Sequence, residues 1–179
     1  LYLTGSMTQE TEYNKKVLTI SSAGEVRSSE LGLFQVSNYS TLTIPNNGTS
    51  WNNPITTGVM SQLTFQATDL FGWNTANGDL TFKKTGTYEI SASVLAKTTD
   101  NNRTELGIRM MDPTNNNELV VDKQYAQRDT ARDEGSAQFN SFFYRTTVIN
   151  KRVRFQIISN GTTCSVSPGN FRISIKKLA

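Results

Sequence analysis

Leu80-Thr81-Phe82-Lys83-Lys84-Thr85-Gly86-Thr87-Tyr88-Glu89-Ile90-Ser91-Ala92-Ser93-Val94-Leu95-Ala96 is the stretch whose reading decides the fold. From Tyr88 the even positions are Tyr88, Ile90, Ala92, Val94 and Ala96, while the odd ones include Glu89, Ser91 and Ser93. A period of two belongs to a strand, whose successive side chains point to opposite faces. One face here is apolar and the other polar, as in a sheet that covers a core on one side only. Just upstream, a short strand ends at Phe82, and Gly86 permits a tight turn into the longer one.

The alternation recurs on either side. Val153, Phe155 and Ile157 alternate with Arg152, Arg154 and Gln156, and Phe171, Ile173 and Ile175 alternate with Arg172, Ser174 and Lys176. Leu63, Phe65 and Ala67 repeat the pattern, as do Leu106, Ile108 and Met110. Gln138 to Val148 holds Phe139, Phe142, Phe143 and Tyr144 and reads as apolar on both faces over part of its length. Such a strand is expected to be covered twice, by the core and by something else. Turn signals such as Asn77-Gly78, Asp112-Pro113, Asn160-Gly161 and Pro168-Gly169 separate the runs. Many strands joined by short turns predict an all-β, antiparallel sandwich or barrel. Lys123 to Glu134 has helical propensity but no apolar stripe, so it reads as a polar strand flank and loop.

Composition narrows the chemistry. The 179 residues suit one domain with an appendage. Hydrophobic residues are 36% and charged ones 18%, and the balance is filled by 24 Thr, 17 Asn and 17 Ser. The net charge of +3 is too small for the usual disordered composition. With no His, triads and His metal sites are excluded. Cys164, the one cysteine, forms no internal disulfide or multi-Cys zinc site, and nothing beside it in sequence activates it. No apolar stretch approaches the roughly 20 residues of a membrane span, so no membrane insertion is expected. Basic residues fall in scattered pairs such as Lys83-Lys84 and Lys176-Lys177, which argues against nucleic acid.

Carboxylates offer little. Asp129, Asp133 and Glu134 interleave with Arg128 and Arg132, a self-neutralised segment rather than the paired acids of a glycosidase. Asp69 and Asp79 bracket an Asn-containing stretch, but their spacing does not fit a calcium loop. No cofactor, no metal and no enzymatic activity are expected.

The first 36 residues differ from the rest. Val17-Leu18-Thr19-Ile20-Ser21-Ser22-Ala23-Gly24-Glu25-Val26 reads as a small hairpin turning at Ala23-Gly24. So short a piece cannot bury its own apolar side chains. The expected division is a stalk or linker over residues 1–36 and a head over residues 37–179. A start at Leu1 rather than Met suggests a piece of a longer protein.

The run Phe82-Lys83-Lys84-Thr85-Gly86-Thr87-Tyr88 resembles the F-x-x-x-G-x-Y signature of tumour-necrosis-factor-like and complement-globular-head jelly rolls. Thr147 to Phe155 is similar to a strand, turn and strand of that family, with Asn150-Lys151 where the family has Gly-Asp. Gly169 to Leu178 looks like its closing strand, so the resemblance covers residues 38–179. Asn14 to Ser29 is similar to the V-L-x-x-x-x-x-G-x-V linker repeats of bacteriophage tail and head fibres. Together the resemblances imply a jelly-roll head on a fibre stalk. They imply a non-enzymatic, homotrimeric viral fibre head, located on the virion. It would attach to a host cell-surface glycan or protein and meet other virion proteins through its stalk. The alternatives are a structural decoration or trimerisation module, a secreted TNF-like signalling ligand, or a surface hydrolase using Asp129 and Asp133.

Candidate contacts follow. Trp51 lies among amides at Asn52 and Asn53, a grouping that stacks on a sugar face and bonds its hydroxyls. Arg103, Arg128 and Arg132 would meet an acidic polysaccharide. Trp73, beside Leu70 and Phe71, reads as part of a buried loop. Phe139, Phe142 and Tyr144 are the expected trimer contacts, hidden by sister copies around an axis. Sequons occur at Asn38, Asn47, Asn102 and Asn160.

Overall fold

The computed structural model describes residues 16–20, 26–30, 32–54, 62–98, 103–126 and 134–178. The chain divides into two compact units, residues 1–31 and 32–179. In the first, β1 (Lys16–Ile20) pairs antiparallel with β2 (Val26–Glu30), with Ile20 opposite Val26. This is the expected hairpin; its turn at Ala23-Gly24 lies outside the described residues.

The second unit is a sandwich of two antiparallel sheets. Its strands are β3 (Leu33–Ser37), β4 (Leu42–Ile44), β5 (Gln62–Gln66), β6 (Phe71–Asn74), β7 (Asp79–Phe82), β8 (Gly86–Thr98), β9 (Thr104–Asp112), β10 (Asn117–Ala126), β11 (Glu134–Thr146), β12 (Lys151–Asn160), β13 (Cys164–Val166) and β14 (Phe171–Lys177). One sheet runs β10-β9-β12-β7-β6. In the other, β8 has β11 on one side and both β14 and β13 on the other. That sheet continues from β14 to β3 and β5, and from β13 to β4. Among the described residues no helix is long and apolar enough to cross a membrane.

The predicted alternation builds the core. Tyr88, Ile90, Ala92, Val94 and Ala96 of β8 are all buried, with Leu106, Ile108 and Met110 of β9 and Val153, Phe155 and Ile157 of β12 in the same cluster. The closing strand β14 lies beside β8, with Ile173 opposite Ala92, so Phe171, Ile173 and Ile175 join the same layer. Each fully buried large side chain contributes about 1.5–3 kcal/mol. Phe82 and Tyr88 meet with ring centres 4.4 Å apart, and the Tyr88 hydroxyl donates to the Lys84 carbonyl at 2.6 Å. Gly86 between them has φ 144°, a conformation that side-chain-bearing residues rarely adopt.

Two expectations change. First, β3 lies inside the sheet between β14 and β5, and Phe34 and Val36 are buried in the core. Residues 32–36 therefore belong to the sandwich, and the division falls at 31/32 rather than 36/37. The strand offers only two buried positions and follows a polar stretch, too little periodicity to separate it from a stalk.

Second, the aromatics of β11 are divided unevenly between its two faces. Phe139 pairs with Ala92 and Phe142 with Ile90, so three residues of β11 span two of β8. This bulge, with Ser141 at φ 52°, resets the alternation. Ala137, Phe139, Phe142, Tyr144 and Thr146 consequently all face inward. Phe139 is only 8% exposed and stacks on Phe155, while Tyr144 packs on Phe82 with ring centres 5.6 Å apart. Phe139, Phe142 and Tyr144, the expected trimer contacts, pack against the core of their own chain, with Phe142 and Tyr144 remaining half-buried. The aromatic left outside is Phe143, 61% exposed.

Candidate functional site

Residues 45–54 lead from β4 to an open edge of β12 in the five-stranded sheet. β7 pairs with β12 as far as Arg154. Beyond it, Asn52 takes up the free edge: its N–H donates to the Ile157 carbonyl at 2.7 Å and its carbonyl accepts from the Ile157 N–H at 2.9 Å. Asn46 bridges to Ser159 further along.

This anchoring lets Trp51 reach across the outward face of the sheet onto Gly107 of β9. A Cβ at Gly107 would lie 2.8 Å from Ile158, 3.1 Å from Lys123 and 3.2 Å from the indole. The missing side chain is the seat of the ring. The Arg109 guanidinium lies 4.5 Å from the indole centre and the Lys123 ammonium 5.7 Å from it. Both cations are themselves held. Arg109 donates twice to Gln156, at 2.9 and 2.7 Å, and pairs with Glu118, while Lys123 pairs with Glu105 at 3.0 Å. Trp51 is therefore half-buried cladding of the sheet, with part of its ring spent on its own chain.

The neighbouring amides are also engaged. Asn53 Nδ2 donates to the Asn77 carbonyl at 2.8 Å and lies against Gly78, holding the β6–β7 turn. Asn52 Oδ1 accepts from Asn47 at 2.8 Å, while its buried Nδ2 has no hydrogen-bond partner among the described residues. Trp73 lies in β6 rather than in a loop, its ring 5.1 Å from that of Phe34.

Arg103 stands at the head of β9. Its guanidinium lies 3.6 Å from the centre of the Tyr125 ring, and Tyr125 is 57% exposed. In the β9–β10 register Val121 faces Arg109, Lys123 faces Gly107 and Tyr125 faces Glu105. Trp51 with its cations, and Arg103 with Tyr125, therefore lie next to each other on one outward face. Sequence reasoning missed Arg109, Lys123 and Tyr125, although Val121, Lys123 and Tyr125 carry the period of two. Arg128 and Arg132, and the carboxylates Asp129 and Asp133, lie outside the described residues.

Other reactive groups serve the fold. Asp79 is 2% exposed and receives Arg154 at 2.8 Å and Arg152 at 3.5 Å. Asp69 pairs with Lys84. Burial pushes the Cys164 thiol up, outweighing its contact with Ser159. Asn38 of the first sequon is wholly buried; its amide donates to the Ser40 and Ser167 carbonyls and accepts from the Phe171 N–H.

No family model and no curated protein matches the chain. Among solved structures it is similar to Eiger TNF from S. frugiperda, with a TM-score of 0.52 and 9% identity over 83% of this chain and 93% of that one. It is also similar to murine APRIL at pH 8.0, with a TM-score of 0.55 and 11% identity over 82% of this chain and 98% of that one. The sandwich of residues 32–178 is a TNF-like jelly roll.

Proposed function

We propose that the chain is a non-enzymatic, homotrimeric fibre head on a virion, and that it attaches the particle to a glycan or protein on the host cell surface. The observation that carries this reading is the separate hairpin ahead of the jelly roll. Its paired strands hold the fibre-linker residues Val17, Leu18 and Val26. Exposed Phe143 supports the trimer, since three copies around an axis would hide it. Weak binding by each head would then be multiplied by the trimer and by the particle. The stalk would meet other virion proteins. The absence of His and the pairing of Asp69 and Asp79 with cations support a binding role over catalysis.

Light scattering on the full chain at micromolar concentration tests the assembly, with a trimer expected and a strict monomer counting against it. Adhesion of the chain to whole cells tests attachment; if it adheres to no host, a purely structural role on the virion replaces this reading. A secreted TNF-like ligand is the second reading, favoured by the match over nearly the whole of the Eiger and APRIL chains. A signal peptide or membrane anchor encoded upstream would select it, and a long fibre shaft would reject it.

A further inference from the structure

Most cations on the outward face of the five-stranded sheet are paired with carboxylates among the described residues. Lys123 has Glu105, Arg109 has Glu118, and Arg152 and Arg154 share Asp79. Arg103 has no carboxylate among the described residues; its guanidinium carbon lies 3.6 Å from the centre of the Tyr125 ring instead. A guanidinium held by a ring is oriented at small entropic cost, and among the described residues no acceptor occupies its N–H fork, which suits a planar anion. Tyr125 carries Arg103 at its ring and is 57% exposed. Lys123 lies two residues along the same strand face, next to the Trp51 indole.

We propose that Arg103 and Tyr125 form a contact site for a carboxylate-bearing saccharide. The ring stacks on the apolar face of a sugar and the guanidinium fork takes its carboxylate, while the Lys123 ammonium pairs with Glu105 opposite Tyr125 and so offsets that carboxylate's charge. This inference rests on the attachment reading and names the glycan class and the residues that meet it.

The test is binding of the full chain to immobilised oligogalacturonate and oligosialic acid. The methyl ester of oligogalacturonate, neutral dextran and dextran sulfate serve as comparisons. The acids should bind about tenfold more tightly than the ester or dextran, the ratio supplied by a charge-assisted hydrogen bond. Arg103→Ala and Tyr125→Ala should each lose about tenfold, with Arg103→Lys losing most of that because an ammonium lacks the fork. Arg172→Ala, on the other sheet, should bind as the parent does. Thermal melts of the variants confirm that they fold.

No binding to either acid, equal binding of acid and ester, or undiminished binding by both variants overturns the site. Tight binding to dextran sulfate that ignores Arg103→Ala, with the acids bound no better, also overturns it. If the parent adheres to cells and the Arg103→Ala/Tyr125→Ala variant adheres equally, this site falls while attachment stands. If the acids bind through these residues but no cell is bound, the site stands and the attachment reading falls.

Discussion

The carboxylate of Asp122 on β10 accepts a hydrogen bond from the backbone N–H of Gln138 on β11 at 2.8 Å. β10 ends the five-stranded sheet and β11 ends the other, so this bond closes the sandwich between two strand edges. It also satisfies a backbone donor that the ladder to β8 leaves free. Asp122→Ala should lower the unfolding free energy by about 1 kcal/mol. Asp122→Asn, which keeps an acceptor oxygen, should lose less. Urea midpoints measure both, and equal stability of all three proteins would show the bond to be inconsequential.

Gly107 makes the seat of Trp51, since a Cβ there would press into Ile158. Gly107→Val should destabilise the domain by about 1–3 kcal/mol through overpacking. It should also expel the indole, shifting Trp fluorescence toward the red relative to the parent. An unshifted spectrum would mean that the ring has another resting place.

Asp112 gives a pH dependence. Burial by itself pushes its carboxyl up, but the Lys151 hydrogen bond at 2.5 Å, the Thr114 N–H and the Lys151 charge outweigh it, so the group lies below its ordinary value. A group depressed in the folded state contributes stability above its unfolded value of about 3.9. That contribution is lost as the pH falls below this value and through the depressed folded one. Urea midpoints from pH 6 down to pH 3 should fall more steeply for the parent than for Asp112→Asn. Parallel profiles would refute the assignment.

The two aromatics on either side of the β11 bulge should separate folding from assembly. Phe139→Ala, which empties a core position, should cost about 3–5 kcal/mol. Phe143→Ser removes an exposed ring and should leave the thermal midpoint of the protomer nearly unchanged while the trimer dissociates. Light scattering on the two variants reads the difference. A Phe143→Ser trimer as tight as the parent would place the interface elsewhere.

Much of the architecture was legible along the chain. The alternation in β8, β9, β12 and β14 could be read directly, because the direction of a strand side chain depends on its own backbone. Turn residues marked most boundaries for the same local reason. The short strands β4 and β13 were less visible. Each has three residues, and three residues carry too little periodicity to stand out.

The alternating side chains alone were enough to establish a β protein with one polar and one apolar face per strand, and the missing His was enough to remove whole families of chemistry. Contacts between distant segments were another matter. The bulge that turns Phe142 inward is a property of the β8–β11 register, and Arg103 reaches Tyr125 through the pairing of β9 with β10. Trp51 finds Gly107 because the end of β7 leaves an edge of β12 open to Asn52. Local backbone preference cannot encode such meetings, because which residues face each other is settled when whole strands choose a register, and that choice is made by the packing of the entire sandwich.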